Sequence, residues 1–128
     1  YGGALAREKV VDYAAKKFVV IVNKEKFVPV LKGRLPVEVL PFAAPLVEKA
    51  LGEISVGGQL RKKKGSDELF VTDNGNWIFD AQFDEVVLPR DLEQDLNLIP
   101  GVVENGLFSR NISAVVVGTE DGAEVKKR

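Results

Sequence analysis

The acidic residue Glu8 stands where a carboxylate could carry out proton transfer. Two adjacent glycines, Gly2 and Gly3, lead into a helical pattern, and Glu8 falls in the first full turn of that helix. Glycine lets backbone N–H groups approach a ligand closely, and a helix N-terminus favours anions and polar oxygens. The pattern therefore indicates a small polar or anionic ligand next to Glu8.

The helical sector that Glu8 occupies supports the same interpretation. At 100° per residue, Glu8 points away from the charged side marked by Lys9 and Lys16. Its neighbour four positions on, Asp12, has the same charge, so no helical ion pair explains Glu8. It shares its sector with three small apolar residues, Ala4, Val11 and Ala15. The competing interpretation is that Glu8 only complements the helix macrodipole, which contributes about 0.3–1 kcal/mol.

Two residue types that often carry out catalysis are missing from the sequence. The 128 residues include no Cys and no His. Disulfides, thiolate nucleophiles and cysteine metal sites are therefore excluded. Proton transfer near neutral pH must use a carboxylate, a lysine or a tyrosine. Carboxylates alone are weak ligands for transition metals, so we expect no metal site.

The overall composition is that of one globular domain, or of a small domain with part of another. It is 45% hydrophobic and 29% charged, with a net charge of −1, so nothing attracts it to nucleic acid or anionic lipid. No apolar run reaches the 18 residues that a membrane helix needs, and charges interrupt the first twenty residues, unlike a signal peptide. Since the chain starts at Tyr1 and lacks Met, we expect it to be part of a longer protein.

Two apolar runs predict strands of one sheet. Residues 17–23 are β-branched and aromatic, which is typical of a strand covered on both faces, and residues 112–118 form a similar run. We expect the second run to return to the sheet of the first. Lys26 follows the first strand, at the edge where α/β sheets bind ligands. From the residues alone, Lys26 either faces an anionic ligand or is solvated.

The intervening residues predict a second unit. From Pro36 to Phe108 the predicted order is β-α-β-β-α-β, the split arrangement of a ferredoxin-like module. An Asn-Gly pair at residues 74–75 predicts a hairpin between strands at 69–72 and 77–83. The basic run at 61–64 has no interleaved aromatic residue and favours a solvated edge strand over nucleic-acid binding. The other strands of this order are predicted at residues 35–41 and 102–108, and the helices at 42–51 and 89–98. The edge strand at 59–64 would be additional to this order.

These elements predict an α/β fold in two parts. The first helix, the first strand and the last strand would form part of a Rossmann-like α/β layer, over residues 1–30 and 110–128. The ferredoxin-like module would be inserted between them, over residues 31–109.

Five segments of the sequence resemble, in order, the second half of type A ribose-5-phosphate isomerase. They are Gly2-Gly-Ala-Leu-Ala-Arg-Glu-Lys9, Leu35-Pro-Val-Glu-Val-Leu-Pro41, Val71-Thr-Asp-Asn-Gly-Asn76, Ile99-Pro-Gly-Val-Val103 with Gly106-Leu-Phe108, and Gly118-Thr-Glu-Asp-Gly122. Each segment is a weak signal by itself, but the five share the family's order and similar spacing. The resemblance runs the full length of the chain.

The resemblance implies an aldose-ketose isomerase of the pentose phosphate pathway that uses no metal or cofactor. It would interconvert ribose 5-phosphate and ribulose 5-phosphate through an enediolate. Glu8 would be the catalytic acid and base, and desolvation beside Ala4 and Ala15 would favour its protonated form. Lys26 would bind substrate, as would Tyr1 and Gly2 at the end of the family's glycine loop. The resemblance further implies a cytoplasmic protein that forms homodimers or homotetramers.

The resemblance also implies that part of the site lies outside this chain. The family's phosphate-binding turn, its Asp-Gly-Ala-Asp-Glu segment and the lysine of its glycine loop have no counterpart in residues 1–128. We therefore expect the chain to be inactive or nearly so without the N-terminal half of the protein. The alternatives are a module that senses a sugar phosphate without catalysis and a module for oligomerisation.

Overall fold

The computed structural model describes residues 4–26, 31–109 and 112–127, apart from the side chains of Lys26 and Ser113. The helices are α1 (Leu5–Ala14), α2 (Ala44–Ile54) and α3 (Pro89–Asn97). The strands are β1 (Phe18–Asn23), β2 (Leu31–Val39), β3 (Gly57–Leu60), β4 (Trp77–Val86), β5 (Val102–Asn105), β6 (Ile112–Thr119) and β7 (Gly122–Lys127). Short 3₁₀ turns occupy Lys24–Lys26 and Pro41–Ala43. Among these helices none has both the length and the apolar character to cross a membrane.

The ends of the chain form a three-stranded sheet with the order β1-β6-β7. β1 and β6 pair in parallel, with Val20 opposite Val115, and β7 pairs with β6 in the antiparallel direction. The prediction that the last apolar run returns to the sheet of the first is therefore confirmed. The expectation that both faces of β1 are covered is wrong for this chain, because Val19 and Ile21 on one face are exposed.

Strand β7 was not predicted from the sequence. All six of its residues are exposed, and three of them, Glu124, Lys126 and Lys127, are charged. It lacks the alternation of apolar and polar residues by which a half-buried strand is recognised. Its ladder with β6, closed by a turn at residues 120–121, holds it in place.

The middle of the chain forms a four-stranded antiparallel sheet with the order β3-β4-β2-β5. Along the chain these strands alternate with α2 and α3 in the order β2-α2-β3-β4-α3-β5. Apolar side chains of the sheet and of both helices form one buried cluster. Its members with no more than 1% exposure are Val37, Val39, Val47, Leu51, Ala81 and Leu96.

The predicted hairpin around residues 74–75 is wrong. The partner of β4 on that side is β3, and residues 69–72 form no strand, since Leu69 makes only one isolated bridge, to Lys62. The reason is the fully buried carboxylate of Glu38 on β2. Its Oε2 accepts hydrogen bonds from the side chains of Thr72 (3.3 Å), Asn74 (3.2 Å) and Asn76 (2.8 Å). These contacts fold the turn over Glu38, so residues 69–72 form no β-ladder with β4.

Strand β3 begins at a glycine pair, Gly57 and Gly58. Gly58 has a φ of +152° and lies opposite Ala81 of β4. A Cβ at Gly58 would lie 2.6 Å from the carbonyl oxygen of Asp80 and 2.6 Å from the ring of Phe79. Only glycine fits there, so the pair starts the strand, which ends at Leu60 instead of at residue 64.

Helix α1 buries a different face from the predicted one. The predicted inward sector contained Val11, but Val11 is exposed, as are Val10 and Tyr13. The residues of α1 that are buried are Leu5 and Asp12. Lys9 lies between them on the same face, so the charged side chain expected in solvent points towards α3 and β5.

A buried charge cluster explains this orientation of α1. The ammonium of Lys9 lies 2.9 Å from Oε2 of Glu93 on α3 and 3.1 Å from Oε1 of Glu104 on β5. It also lies 4.7 Å from the ring centroid of Phe108. Asp12, one turn further along α1, is 3% exposed, and its Oδ1 has no hydrogen-bond partner among the described residues.

The pKa values of Glu93 and Asp12, two buried carboxylates of the cluster, are shifted in opposite directions. Burial raises the pKa of Glu93, but hydrogen bonds from Ser109 and Lys9 and the charge of Lys9 outweigh it, so the net pKa is lowered. Burial raises the pKa of Asp12, Lys9 lowers it and Glu93 raises it, and the net pKa is raised. Glu93 is therefore stabilised as the anion, whereas Asp12 is not.

We predict opposite effects of alanine at two glycines. Gly58→Ala should lower the free energy of unfolding by about 2 kcal/mol or more, because the new Cβ meets backbone in a strained conformation. Gly52→Ala in α2 is the matched control, since nothing lies within 4 Å of its added Cβ. It should stabilise the chain by about 0.5–1 kcal/mol. Urea unfolding measures both, and equal effects would contradict the structure.

We predict that replacing Glu93 lowers the free energy of unfolding much more at neutral pH than in acid. The lowered pKa of Glu93 means that its contribution is present above its unfolded pKa and is lost as pH falls through its folded pKa. Glu93→Gln should therefore destabilise the chain by about 2–3 kcal/mol at pH 7, and much less near pH 3. Urea unfolding across this pH range is the measurement.

Asp12→Asn is the control, because we expect it to change the free energy of unfolding in the opposite direction. The raised pKa of Asp12 means that its contribution is present below its unfolded pKa and is lost as pH rises through its folded pKa. Asp12→Asn should stabilise the chain by roughly 1 kcal/mol at pH 7 and have little effect near pH 3. A loss of stability at pH 7 from Asp12→Asn would refute this account of the cluster.

Candidate active site

The cavity that contains Glu8 lies between α1, strand β2 and the segment after β5. Its volume is about 410 Å³, and Ala4 and Glu8 line it on the side of α1. On the opposite side lie Arg34 of β2, Arg61 after β3, and the ring of Phe108. A carboxylate therefore faces a space that also has cationic and apolar walls.

Glu8 lies in the first turn of α1, as predicted. Its backbone N–H donates to the carbonyl oxygen of Ala4 at 3.0 Å. Its side chain is exposed, as is Ala15, so the expected desolvation of Glu8 by small apolar neighbours is wrong for this chain. The carboxylate borders the cavity and is also open to solvent.

The cationic wall of the cavity was missed in the sequence. Arg61 donates from Nε and Nη2 to the two carboxylate oxygens of Asp80, at 2.9 and 2.7 Å, and its guanidinium lies 5.9 Å from the ring centroid of Phe70. Nε of Arg34 lies 3.8 Å from Oδ1 of Asp80. Arg61 was expected on a solvated edge, but its side chain is only 12% exposed. Asp80 lies 19 positions from Arg61, so no local spacing could have indicated the pair.

The other site residues predicted from the sequence are described only in part. Lys26 ends the 3₁₀ turn at the carboxyl end of β1, beside the parallel strand β6. Its backbone thus lies at the sheet edge where α/β folds bind ligands. The side chain of Lys26, and the whole of Tyr1 and Gly2, lie outside the described residues. The structure therefore places Glu8 at the cavity and gives no distance from it to the other three.

The charges at the cavity favour an anionic ligand. Lys32, Arg34 and Arg61 line it with Glu8, while Asp80 holds Arg61. Two of the cations, Lys32 and Arg34, are on an exposed part of β2. Within residues 4–26, 31–109 and 112–127, no three acidic side chains are grouped so that they could hold a metal ion.

Comparison with known proteins agrees with the resemblance found in the sequence. The model of the family described as ribose 5-phosphate isomerase A (phosphoriboisomerase A) matches residues 1–122. Ribose-5-phosphate isomerase A of Natronomonas pharaonis is 42% identical over 125 residues, which are 98% of this chain and 56% of the relative. The Pyrococcus horikoshii protein of the same name is 40% identical over 129 residues, which are 99% of this chain and 56% of the relative.

Solved structures of that name have the same fold over the matched part. One, of D-ribose-5-phosphate isomerase in complex with phospho-erythronic acid, has a TM-score of 0.92 at 40% identity and covers 99% of this chain. Ribose 5-phosphate isomerase A from Methanocaldococcus jannaschii has a TM-score of 0.86 at 41% identity, with the same coverage. In both comparisons the match is 56% of the solved chain, so the present chain spans about half the length of its relatives. With its fold, its sequence and the family model in agreement, the chain belongs to the ribose 5-phosphate isomerase A family.

Proposed function

We propose that the protein to which this chain contributes interconverts ribose 5-phosphate and ribulose 5-phosphate, with Glu8 as the group that moves the proton. The observation that carries the proposal is the position of Glu8, which borders the 410 Å³ cavity in a chain of this family. The cationic side chains around the cavity suit a phosphorylated sugar. A related structure is a complex with phospho-erythronic acid, which is itself a phosphorylated anion.

The chemistry requires one base that returns the proton it has taken. In the direction from aldose to ketose, the Glu8 carboxylate removes the proton from C2 of the open-chain sugar and gives an enediolate. The carboxylic acid so formed then delivers that proton to C1, while the hydroxyl proton moves from O2 to O1. Glu8 is regenerated, so no redox cofactor is consumed. Positioned proton transfer of this kind contributes on the order of 10²–10⁴ to the rate.

The enediolate needs a cation near O1 or O2, and this chain can provide one in Lys26. Lys26 follows β1 at the carboxyl edge of the β1–β6 pair, and α1 leads directly into β1. We propose that its ammonium and the backbone of Tyr1 and Gly2 complete the sugar side of the site. The remaining groups would come from the half of the protein that the relatives have and residues 1–128 lack.

We also propose the division of the chain that the sequence predicted. Residues 1–30 and 110–128 would belong to an α/β catalytic layer of Rossmann type, and residues 31–109 to an inserted ferredoxin-like module. The order β3-β4-β2-β5 and the connection β-α-β-β-α-β support the second part. The parallel pairing of β1 with β6 supports the first.

Exposed apolar side chains favour a role in self-association beside catalysis. Phe42 is 98% exposed, and Leu46, Leu88 and Leu98 also face solvent. We propose that such residues contribute to a homodimer or homotetramer of a cytoplasmic enzyme. A module that binds a sugar phosphate without catalysis is the remaining alternative, and the test of Glu8 below distinguishes it.

We predict that the isolated chain has no measurable isomerase activity. A full-length fusion, in which the part of the Pyrococcus horikoshii relative that precedes the match is joined to residues 1–128, should be active, because it combines both halves of the site. An aldose-ketose assay on the two proteins, each checked for folding by circular dichroism, is the measurement. Normal turnover by residues 1–128 alone would refute the proposed division of the site.

We predict that Glu8→Gln in the fusion lowers kcat by about 10²–10⁴. Binding of phospho-erythronic acid, measured by calorimetry, should change little, because glutamine keeps the size of the side chain. Glu53→Gln is the matched control, since Glu53 is an exposed helical glutamate remote from the cavity. Unchanged turnover in Glu8→Gln would reject Glu8 as the proton shuttle, and a fusion that binds the phosphate without turnover would favour the sensing module.

A further inference from the structure

Lys9, the residue after Glu8, has a buried ammonium that contacts two carboxylates. The side chain of Lys9 is 11% exposed, and its ammonium bridges Glu93 and Glu104 at 2.9 and 3.1 Å. The ring of Phe108 lies 4.7 Å away on a third side. Three separate parts of the fold, α3, β5 and the segment after β5, therefore converge on one atom of α1.

The acceptors of Lys9 are themselves held in fixed positions. Oε1 of Glu93 accepts from the backbone N–H and the hydroxyl of Ser109, at 2.9 and 2.5 Å. Oε1 of Glu104 accepts from Nδ2 of Asn97 at 2.8 Å and from the N–H of Asn105 at 3.0 Å. Each carboxylate is thus also held by donors other than Lys9.

Among the described residues, the other buried side chains of α1 make no hydrogen bond that would fix its rotation. Leu5 and Asp12 are its buried residues, while Val10, Val11 and Tyr13 are exposed. Asp12 adds no directional contact through Oδ1, which lacks a partner among the described residues. The cluster around Lys9 is therefore the directional contact that fixes how α1 is turned about its axis.

The direction of Glu8 follows from that rotation. Successive side chains on a helix are 100° apart, so the angle between Lys9 and Glu8 is set by the backbone. With Lys9 on its two carboxylates, Glu8 borders the cavity that Arg61 and Phe108 also line. A different rotation of α1 would carry Glu8 away from this space, and a misplacement of about 1 Å in a reacting group can lower the rate about 10²-fold.

We propose that Lys9 is the positioning residue of the proton shuttle. By binding Glu93 and Glu104 it locks α1 against the four-stranded unit and so aims Glu8 at the substrate. This inference rests on the proposed catalytic role of Glu8. Lys9 does not itself line the cavity, although its ammonium lies against the ring of Phe108, which does. We propose that it acts through the helix that it shares with Glu8.

The first test compares three variants of the full-length fusion. Lys9→Met removes the charge and keeps the length of the side chain, so kcat should fall about 10- to 100-fold while KM changes less than about threefold. Lys9→Arg keeps the positive charge and should recover most of the lost kcat. Lys16→Met is the control for loss of charge, because Lys16 is exposed beyond the end of α1, and it should leave kcat unchanged.

The second test asks whether Lys9 acts through Glu8. In the Glu8→Asp background the carboxylate is already displaced by one methylene, so adding Lys9→Met should lower kcat by less than about threefold. All rates are expressed per folded molecule, from circular dichroism well below the melting temperature. If Lys9→Met does not fold, Lys9→Arg and Glu104→Gln are compared in both backgrounds in its place. Glu104→Gln removes the negative charge from one of the two groups that bind Lys9.

An equal loss of kcat from Lys9→Met in the wild-type and Glu8→Asp backgrounds would overturn the inference. A normal kcat in Lys9→Met, or a failure of Lys9→Arg to recover kcat, would overturn it too. A loss of folded protein with normal kcat per folded molecule would show a merely structural role and would overturn it as well. Failure of the proposed function is distinguishable, because it would be seen as normal turnover in Glu8→Gln.

Discussion

The contact on which the rest of the structure depends is the ion pair of Lys9 with two carboxylates in a nearly dry position. It joins α1 to helix α3 and to β5, an edge strand of the four-stranded sheet. A buried ion pair of this kind contributes little net stability, because desolvation of the charges offsets their attraction. Losing one partner is nevertheless costly, since a charge is then left uncompensated. Such a pair therefore favours one orientation of α1 over slightly rotated ones.

The charged residues around the cavity also differ in whether a partner holds them. Arg61 is satisfied by both oxygens of Asp80, so its position is fixed while part of its charge is neutralised. Glu8 and Lys32 are instead exposed. The cavity thus combines one buried, paired cation, Arg61, with exposed charges on both α1 and β2.

The sequence allowed prediction of the elements whose signal is local. The strands β1 and β6 are continuous β-branched runs, and their pairing follows from the preference of such runs for buried sheets. The order of elements between them was also recognisable from short apolar patterns. The position of Glu8 in the first turn of α1 was predicted from its distance to the glycines, and the structure agrees.

Interactions between distant residues could not be predicted in this way. The acceptors of Lys9 lie 84 and 95 positions away, so a helix that looked amphipathic in one direction buries another face. The carboxylate of Glu38 captures Asn76 from 38 positions away and converts an expected hairpin into a turn. In both cases a buried carboxylate outweighed a local preference, and a single sequence does not reveal which carboxylates are buried.

The parallel pairing of β1 with β6 has a consequence for how the protein folds. The two strands come from opposite ends of the chain, so their ladder closes a loop that contains the whole four-stranded unit. Closing so long a loop costs conformational entropy, and contacts of this separation form slowly unless the intervening chain is already compact. The antiparallel unit, with its nearby partners, is suited to collapse early and to bring the two termini together. We therefore expect the sheet of β1, β6 and β7 to become ordered after the four-stranded unit.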